Sequence, residues 1–260
     1  MHANEREQAI LDLLNRNGFI TFRELEKRLD ASPATLRRDL TRLSEDGRIE
    51  RVRGGAKRIA NDRMNEQDRL LGVPFHENIH RMREQKEAIG KAAAELCERG
   101  SAIMIDGGST TLQMCPHLAG LELQVLTNSL HIVSALLPQE GTRVLVPGGS
   151  VFREQNIILS AAGDELMPRF YAPRLFMGAA AIGPQGVMQA DVVLVAAERR
   201  LIERAEELIL LVDSSKFRHS SGNVVCELAQ VGTIITDDGI EPAQAEMVKA
   251  AGVRLVTVPV

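Results

Sequence analysis

From Ile89 onward, seven short apolar runs alternate with segments of helical character, and this constrains the fold more than any other feature of the chain. The runs cover residues 102–105, 124–126, 143–146, 175–177, 209–212, 233–235 and 254–256. Strands that alternate with helices belong to an α/β domain with a largely parallel sheet. The residues that follow the runs are small, polar or charged. They are Asp106-Gly107-Gly108-Ser109-Thr110-Thr111, Thr127-Asn128-Ser129, Pro147-Gly148-Gly149, Gly178-Ala179 and Asp213-Ser214-Ser215-Lys216. Ligands of open α/β sheets bind at the carboxyl ends of the strands, so one crevice is expected to collect these segments.

The segment Asp106 to Thr111 has the composition of an anion cradle. Two glycines let backbone N–H groups approach an oxyanion, and hydroxyls follow at the start of an expected helix whose dipole favours negative charge. A plain strand-to-helix turn with an N-cap serine has partly the same composition, and the pattern GxxxxGK[ST] is absent. Lys216 is either a cation for phosphate or a surface lysine, and Asp213 either accepts sugar hydroxyls or caps the following turn.

The first sixty residues follow a different pattern. Ile10, Leu13 and Leu14 make one apolar face and Phe22, Leu25 and Leu29 another, with Asn17-Gly18 breaking the chain between them. A third helix starts at Ser32-Pro33, an N-cap followed by a proline suited to the first helical position. Leu36, Leu40 and Leu43 bury one stripe and leave Thr35, Arg37, Arg38 and Arg42 on other faces. Gly47 closes this helix, residues 49–53 alternate like a strand, and Gly54-Gly55 turns the chain back. The reading is a winged helix-turn-helix. Its third helix would enter the major groove, while Arg51 and Arg53 on the wing would meet phosphates or the minor groove. An ordinary amphipathic surface helix is the alternative for the stretch Ser32 to Leu40 taken alone.

Charge agrees with this division. Residues 1–60 hold 13 Lys and Arg against 10 Asp and Glu, a balance of +3, and the remainder holds 18 against 25, a balance of −7. A chain of 260 residues suits two domains. We expect a DNA-binding domain over 1–58, a polar linker over 59–80 and a sensor domain over 81–260. No apolar run reaches membrane length and no signal peptide opens the sequence, so a cytoplasmic protein without membrane contact is expected. Three cysteines without a CxxC pair indicate neither a disulfide framework nor a zinc cluster.

The motif Ser32-Pro33-Ala34-Thr35-Leu36-Arg37-Arg38-Asp39-Leu40, with the wing Arg51-Val52-Arg53-Gly54-Gly55-Ala56, resembles the DNA-binding signature of DeoR-type bacterial transcription regulators. The resemblance covers essentially the whole chain. It implies a winged helix-turn-helix followed by a sensor related to ribose-5-phosphate isomerase, and it adds Ser32 and Ala34 to the DNA-facing set. In that family a glycine-serine/threonine loop after the first sensor strand binds the phosphate of a phosphorylated sugar or sugar acid. An Asp-x-Ser-Lys element lies in the same pocket. Asp106, Gly107, Gly108, Ser109, Thr110 and Thr111 match the first, and Asp213 to Lys216 the second. Thr127-Asn128 and Gly148-Gly149 match two further turns. The chain departs from the family at Gly178-Ala179-Ala180-Ala181. The isomerases carry an acidic Gly-Ala-Asp-Glu element there, and many sensors keep an aspartate at the position of Ala180. Alanine is no general base, and Glu198, which resembles one acidic residue of the isomerase pocket, lacks its partner.

His76-Glu77-Asn78-Ile79-His80 matches HExxH, which on a helix presents two imidazoles for zinc. It falls in the expected polar linker without a recognisable third ligand, so no metal and no cofactor are expected. The resulting expectation is a sequence-specific regulator, a repressor of a carbohydrate-catabolic operon. Its partners would be operator DNA and a phosphorylated sugar or sugar-acid effector, and it would act as a homodimer or homotetramer. The enzyme alternative is an active sugar-phosphate isomerase fused to a DNA-binding module.

Overall fold

A computed structural model describes residues 3–17, 19–29, 31–45, 49–52, 54–58, 75–160 and 169–260. Gly47, Arg53 and residues 59–74 of the expected linker lie outside the described residues. The chain divides into two compact units, Met1–Arg63 and Met64–Val260.

In the first unit α1 (Ala3–Asn17) leads through β1 (Phe19–Thr21) into α2 (Phe22–Arg28) and α3 (Pro33–Glu45). The wing follows as β2 (Ile49–Val52) and β3 (Gly55–Arg58). Thr21 starts α2 with a reciprocal cap: its hydroxyl accepts the Glu24 N–H at 3.2 Å, and Glu24 Oε2 accepts the Thr21 N–H at 2.9 Å. Ile10, Leu14, Ile20, Leu25, Leu29, Leu36, Leu40, Leu43, Ile49 and Ala56 form one core. β1 was not expected from the sequence. It is only three residues long and pairs antiparallel with β3, giving the order β1-β3-β2. Gly55 is required there, since a Cβ would lie 2.2 Å from the Ile20 carbonyl oxygen.

The second unit opens with a short helix, α4 (Phe75–Asn78), and α5 (Arg83–Ala94). Next come β4 (Ala102–Ile105), a 3-10 segment (Thr111–His117), β5 (Gln124–Leu126), α6 (Leu130–Leu136) and β6 (Arg143–Leu145). A hairpin of β7 (Ser150–Phe152) and β8 (Ile157–Leu159) precedes β9 (Ala172–Met177), β10 (Ala181–Gly183), β11 (Gly186–Gln189) and α7 (Val192–Ile202). The chain ends with β12 (Ala205–Leu211), β13 (Asn223–Cys226), β14 (Thr233–Asp237), α8 (Pro242–Ala250) and β15 (Arg254–Val258).

All seven expected runs enter one sheet, ordered β15-β14-β12-β9-β4-β5-β6, and every pairing in it is parallel. Side chains alternate between two cores. Met104, Leu175, Met177 and Leu210 pack with Val195, Leu201 and Val248, while Ile103, Ile105, Phe176 and Ile209 pack with Ile89, Ala93, Ile132 and Leu136. A sheet buried on both faces explains why its strands read as continuous apolar runs. Cys97, Cys115 and Cys226 are free and buried. Among the described residues no helix is long and apolar enough to cross a membrane.

The order of strands fixes where a ligand can enter. From β4 the chain runs outward to β5 and β6, then returns to the other side of β4 for β9, β12, β14 and β15. The reversal falls between β4 and β9, and a crevice opens at the carboxyl ends of strands at such a point.

Candidate functional site

A cavity of about 520 Å³ occupies that crevice. The loop after β4 contributes Asp106, Gly107, Gly108, Ser109 and Thr110, the end of β9 contributes Gly178, Ala179 and Ala180, and Asn128 and Lys216 enter from the ends of β5 and β12. The loop is held by a two-way amide contact. Asn128 Oδ1 accepts the Gly107 N–H at 3.0 Å and Asn128 Nδ2 donates to Asp106 Oδ1 at 3.0 Å. The Gly107 N–H is therefore engaged within the protein. Those of Gly108, Ser109 and Thr110 have no backbone or side-chain acceptor among the described residues.

Several residues expected in the pocket have other roles. The helix expected after the loop is a 3-10 segment of seven residues with Pro116 inside it, so the loop lacks the dipole of a long α-helix. Thr111 is fully buried, with its hydroxyl 2.8 Å from the Asp106 carbonyl oxygen and 3.0 Å from that of Gly108. Thr127 is also fully buried and accepts the Ser129 N–H at 3.1 Å. Asp213 does not line the cavity: its carboxylate caps the turn after β12 by accepting the Ser215 N–H at 3.2 Å. Gly148 and Gly149 follow β6, the edge strand two places from β4, and do not line it either. Gly149 fits the hairpin instead, with φ +154° and no room for a Cβ, which would lie 2.2 Å from the Leu159 carbonyl oxygen.

The cavity also contains groups that the sequence did not single out. The hairpin brings Phe152, Glu154, Gln155 and Ile157, and α4 brings Phe75 and Asn78. Phe75 stacks on His131 at 4.1 Å and its N–H donates to the Glu154 carbonyl, so part of the expected linker packs on the sensor. The His76 to His80 motif is not carried on one helix, because α4 ends at Asn78 and a turn follows. Among the described residues no group of three His, Cys, Asp or Glu is placed to hold a metal ion.

Gln189 and Glu198 line the same space from β11 and α7. Gln189 Nε2 donates to Glu198 Oε1 at 2.6 Å, and Glu198 Oε2 has no partner among the described residues. Burial pushes the Asp106 carboxyl up to about 6, against the opposing pull of Asn128 and the Gly107 N–H. Burial and then the neighbouring Asp106 raise Glu198 well above the usual carboxylate range. Behind the wall, Lys86 is 1% exposed, and its ammonium donates to the Asn78 carbonyl at 2.5 Å and to Asn78 Oδ1 at 3.1 Å. Burial lowers its pKa to about 7, and Asp213 pulls the other way.

In the first unit, Ser32 Oγ accepts the Thr35 N–H at 3.2 Å at the start of α3. Leu36, Leu40 and Leu43 are buried, whereas Ala34, Arg37 and Arg38 are exposed. Arg37 lies 5.1 Å from the Phe22 ring centroid, and Arg38 has no partner among the described residues. Arg42 pairs with Glu7 on α1 and lies 3.6 Å from Asp39 on its own helix. Arg51 on the wing donates to Thr41 Oγ1 at 2.8 Å, which ties β2 to α3. Arg6 holds the buried Asp39 by two contacts of 2.6 and 3.2 Å, fixing α3 against α1.

Residues 6–62 match the model of the DeoR-like helix-turn-helix domain, and residues 81–238 that of the DeoR C terminal sensor domain. The chain belongs to the DeoR family. Over 255 residues the DeoR-family chain is 31% identical to the HTH-type transcriptional regulator UlaR of Shigella dysenteriae serotype 1 (strain Sd197), covering 98% of each chain. It is similar at the same identity and coverage to UlaR of Escherichia coli (strain SMS-3-5 / SECEC). Among solved structures it is similar to ribose 5-phosphate isomerase A from Methanocaldococcus jannaschii, with 16% identity, 52% of this chain and 54% of that chain covered, and a TM-score of 0.39. The DeoR-family chain is thus a DNA-binding transcriptional regulator rather than an enzyme.

Proposed function

We propose that this regulator is a cytoplasmic repressor of a carbohydrate-catabolic operon, released from its operator by a phosphorylated sugar bound in the crevice between β4 and β9. The observation that carries this reading is the meeting of two kinds of donor in one cavity. The unengaged N–H groups of Gly108, Ser109 and Thr110 and the ammonium of Lys216 suit a phosphate, and polar side chains beside them suit a polyol. DNA is read by α3, with Arg37 and Arg38 toward the major groove and the wing at the adjacent backbone. We divide the chain into a DNA-binding domain over 1–58, a linker over 59–80 and a sensor domain over 81–260, in keeping with family matches over 6–62 and 81–238, with Phe75 and Asn78 of the connecting segment lining the ligand cavity. A homodimer or homotetramer supplies paired helices for two half-sites.

Binding of the full chain to DNA flanking its own gene, followed by fluorescence anisotropy, tests the proposal. Specific binding that is weakened by a phosphorylated sugar is the expected result. Binding that no phosphorylated sugar alters would leave a DNA-binding protein without a sensor, and the proposal would fail.

A further inference from the structure

Of the four carboxyl-bearing residues that line the cavity, Asp106 and Glu198 are buried, and a phosphate has no use for them. Glu198 is 3% exposed, lies on the buried face of α7 with Val195 and Leu201, and lines the cavity. One of its oxygens is engaged by Gln189 and the other has no partner among the described residues. A buried carboxylate oxygen without a donor is costly, and such an oxygen in a ligand cavity marks the place of a ligand donor. Asp106 lines the same cavity. The same cavity holds Lys216 and the unengaged N–H groups of Gly108 to Thr110.

From this arrangement we infer that Glu198 selects the effector, and that the effector is a phosphorylated amino sugar whose ammonium group meets Glu198 while its phosphate meets the loop and Lys216. This rests on the phosphosugar reading above and narrows it to one chemical class. A sugar acid would add a further carboxyl group beside Asp106 and Glu198, whose charged forms burial already disfavours, and would bring no countercharge to either. A neutral sugar would supply a hydroxyl partner to Glu198 but no countercharge to offset the burial that disfavours its charged form. An ammonium supplies both a donor and a countercharge, and charge-assisted hydrogen bonds are about twice as strong as neutral ones. Ala179 and Ala180 at the end of β9 contribute no charge to this wall.

Titration calorimetry of the full chain with glucosamine 6-phosphate, glucose 6-phosphate and 6-phosphogluconate tests the inference. The amino sugar phosphate should bind roughly tenfold more tightly than the neutral one, and the sugar acid phosphate the most weakly of the three. Glu198→Gln keeps the shape and removes the charge, so it should bring the amino and neutral compounds to within about twofold of each other. Circular dichroism and operator binding check that this variant is folded, and the wild-type ranking stands as a test without it. Equal or tighter binding of glucose 6-phosphate or 6-phosphogluconate to the wild type overturns the assignment of Glu198 and leaves the phosphosugar site intact. Absence of binding by all three, and by a wider set of phosphorylated sugars, overturns the phosphosugar reading itself.

Discussion

Both ends of the Asn128 amide are engaged by the loop after β4, so this one side chain fixes the Asp106 carboxyl and the Gly107 N–H against the end of β5. Asn128→Ala would free the Gly107 N–H and leave Asp106 buried without its donor. Calorimetry should record a loss of effector affinity on the order of tenfold, with operator binding unchanged. Lys216→Ala should likewise blunt induction and spare DNA binding, whereas Arg37→Ala should do the reverse. If Arg37 reads a base, its loss costs about 1–3 kcal/mol of operator affinity in an anisotropy titration. Lys86 gives a pH signature. Its folded pKa of about 7 lies below its ordinary value, so between these limits the unfolded chain binds more protons and stability rises with pH. Denaturant melts of the wild type should gain about 2 kcal/mol from this group between pH 7 and 9, a gain that Lys86→Met lacks. The sequence showed Asn128 and Lys216 because both follow strands directly. Glu198 carried a weaker signal: a carboxylate three residues from Val195 and three from Leu201, on the stripe that faces the core. Nothing local distinguishes Asp213 as a cap from Asp213 as a ligand; only the turn geometry decides.

At the scale of elements, long-range order was legible where the chain repeats a pattern. Continuous apolar runs become central strands because helices cover both faces of the sheet, and the leucine stripe of α3 becomes core because α1 and α2 close over it. Short strands outside that repeated pattern were not legible. β1, the β7–β8 hairpin and the small sheet β10-β11-β13 are too short to show a period, and β1 and β11 are fixed by pairing with the distant β3 and β13. The hairpin and β11 nevertheless supply much of the cavity wall. Two predictions belong here. Thr21→Ala removes the reciprocal cap of α2 and should cost about 1 kcal/mol of stability in the DNA-binding unit. Asp39→Ala removes both of its contacts to Arg6, and thermal melts should show a loss of about 2 kcal/mol together with weakened operator binding.

At the scale of the whole molecule, the reversal of strand order between β4 and β9 explains which expected residues meet. Loops from β4, β5, β9 and β12 reach the crevice, and the loop from the edge strand β6 does not. Sequence identifies strand ends but not their order in the sheet, which is why one crevice was expected to collect Gly148 and Gly149 as well. The repressor reading demands that DNA and effector oppose one another by a single coupling free energy, which acts equally in both directions. The effector's affinity should therefore be measured by calorimetry on the full chain with and without saturating operator DNA, beside the operator's affinity with and without effector. The account predicts that each ligand weakens the other by the same factor, on the order of 5- to 150-fold. Effector affinity that is unchanged by operator DNA would contradict it.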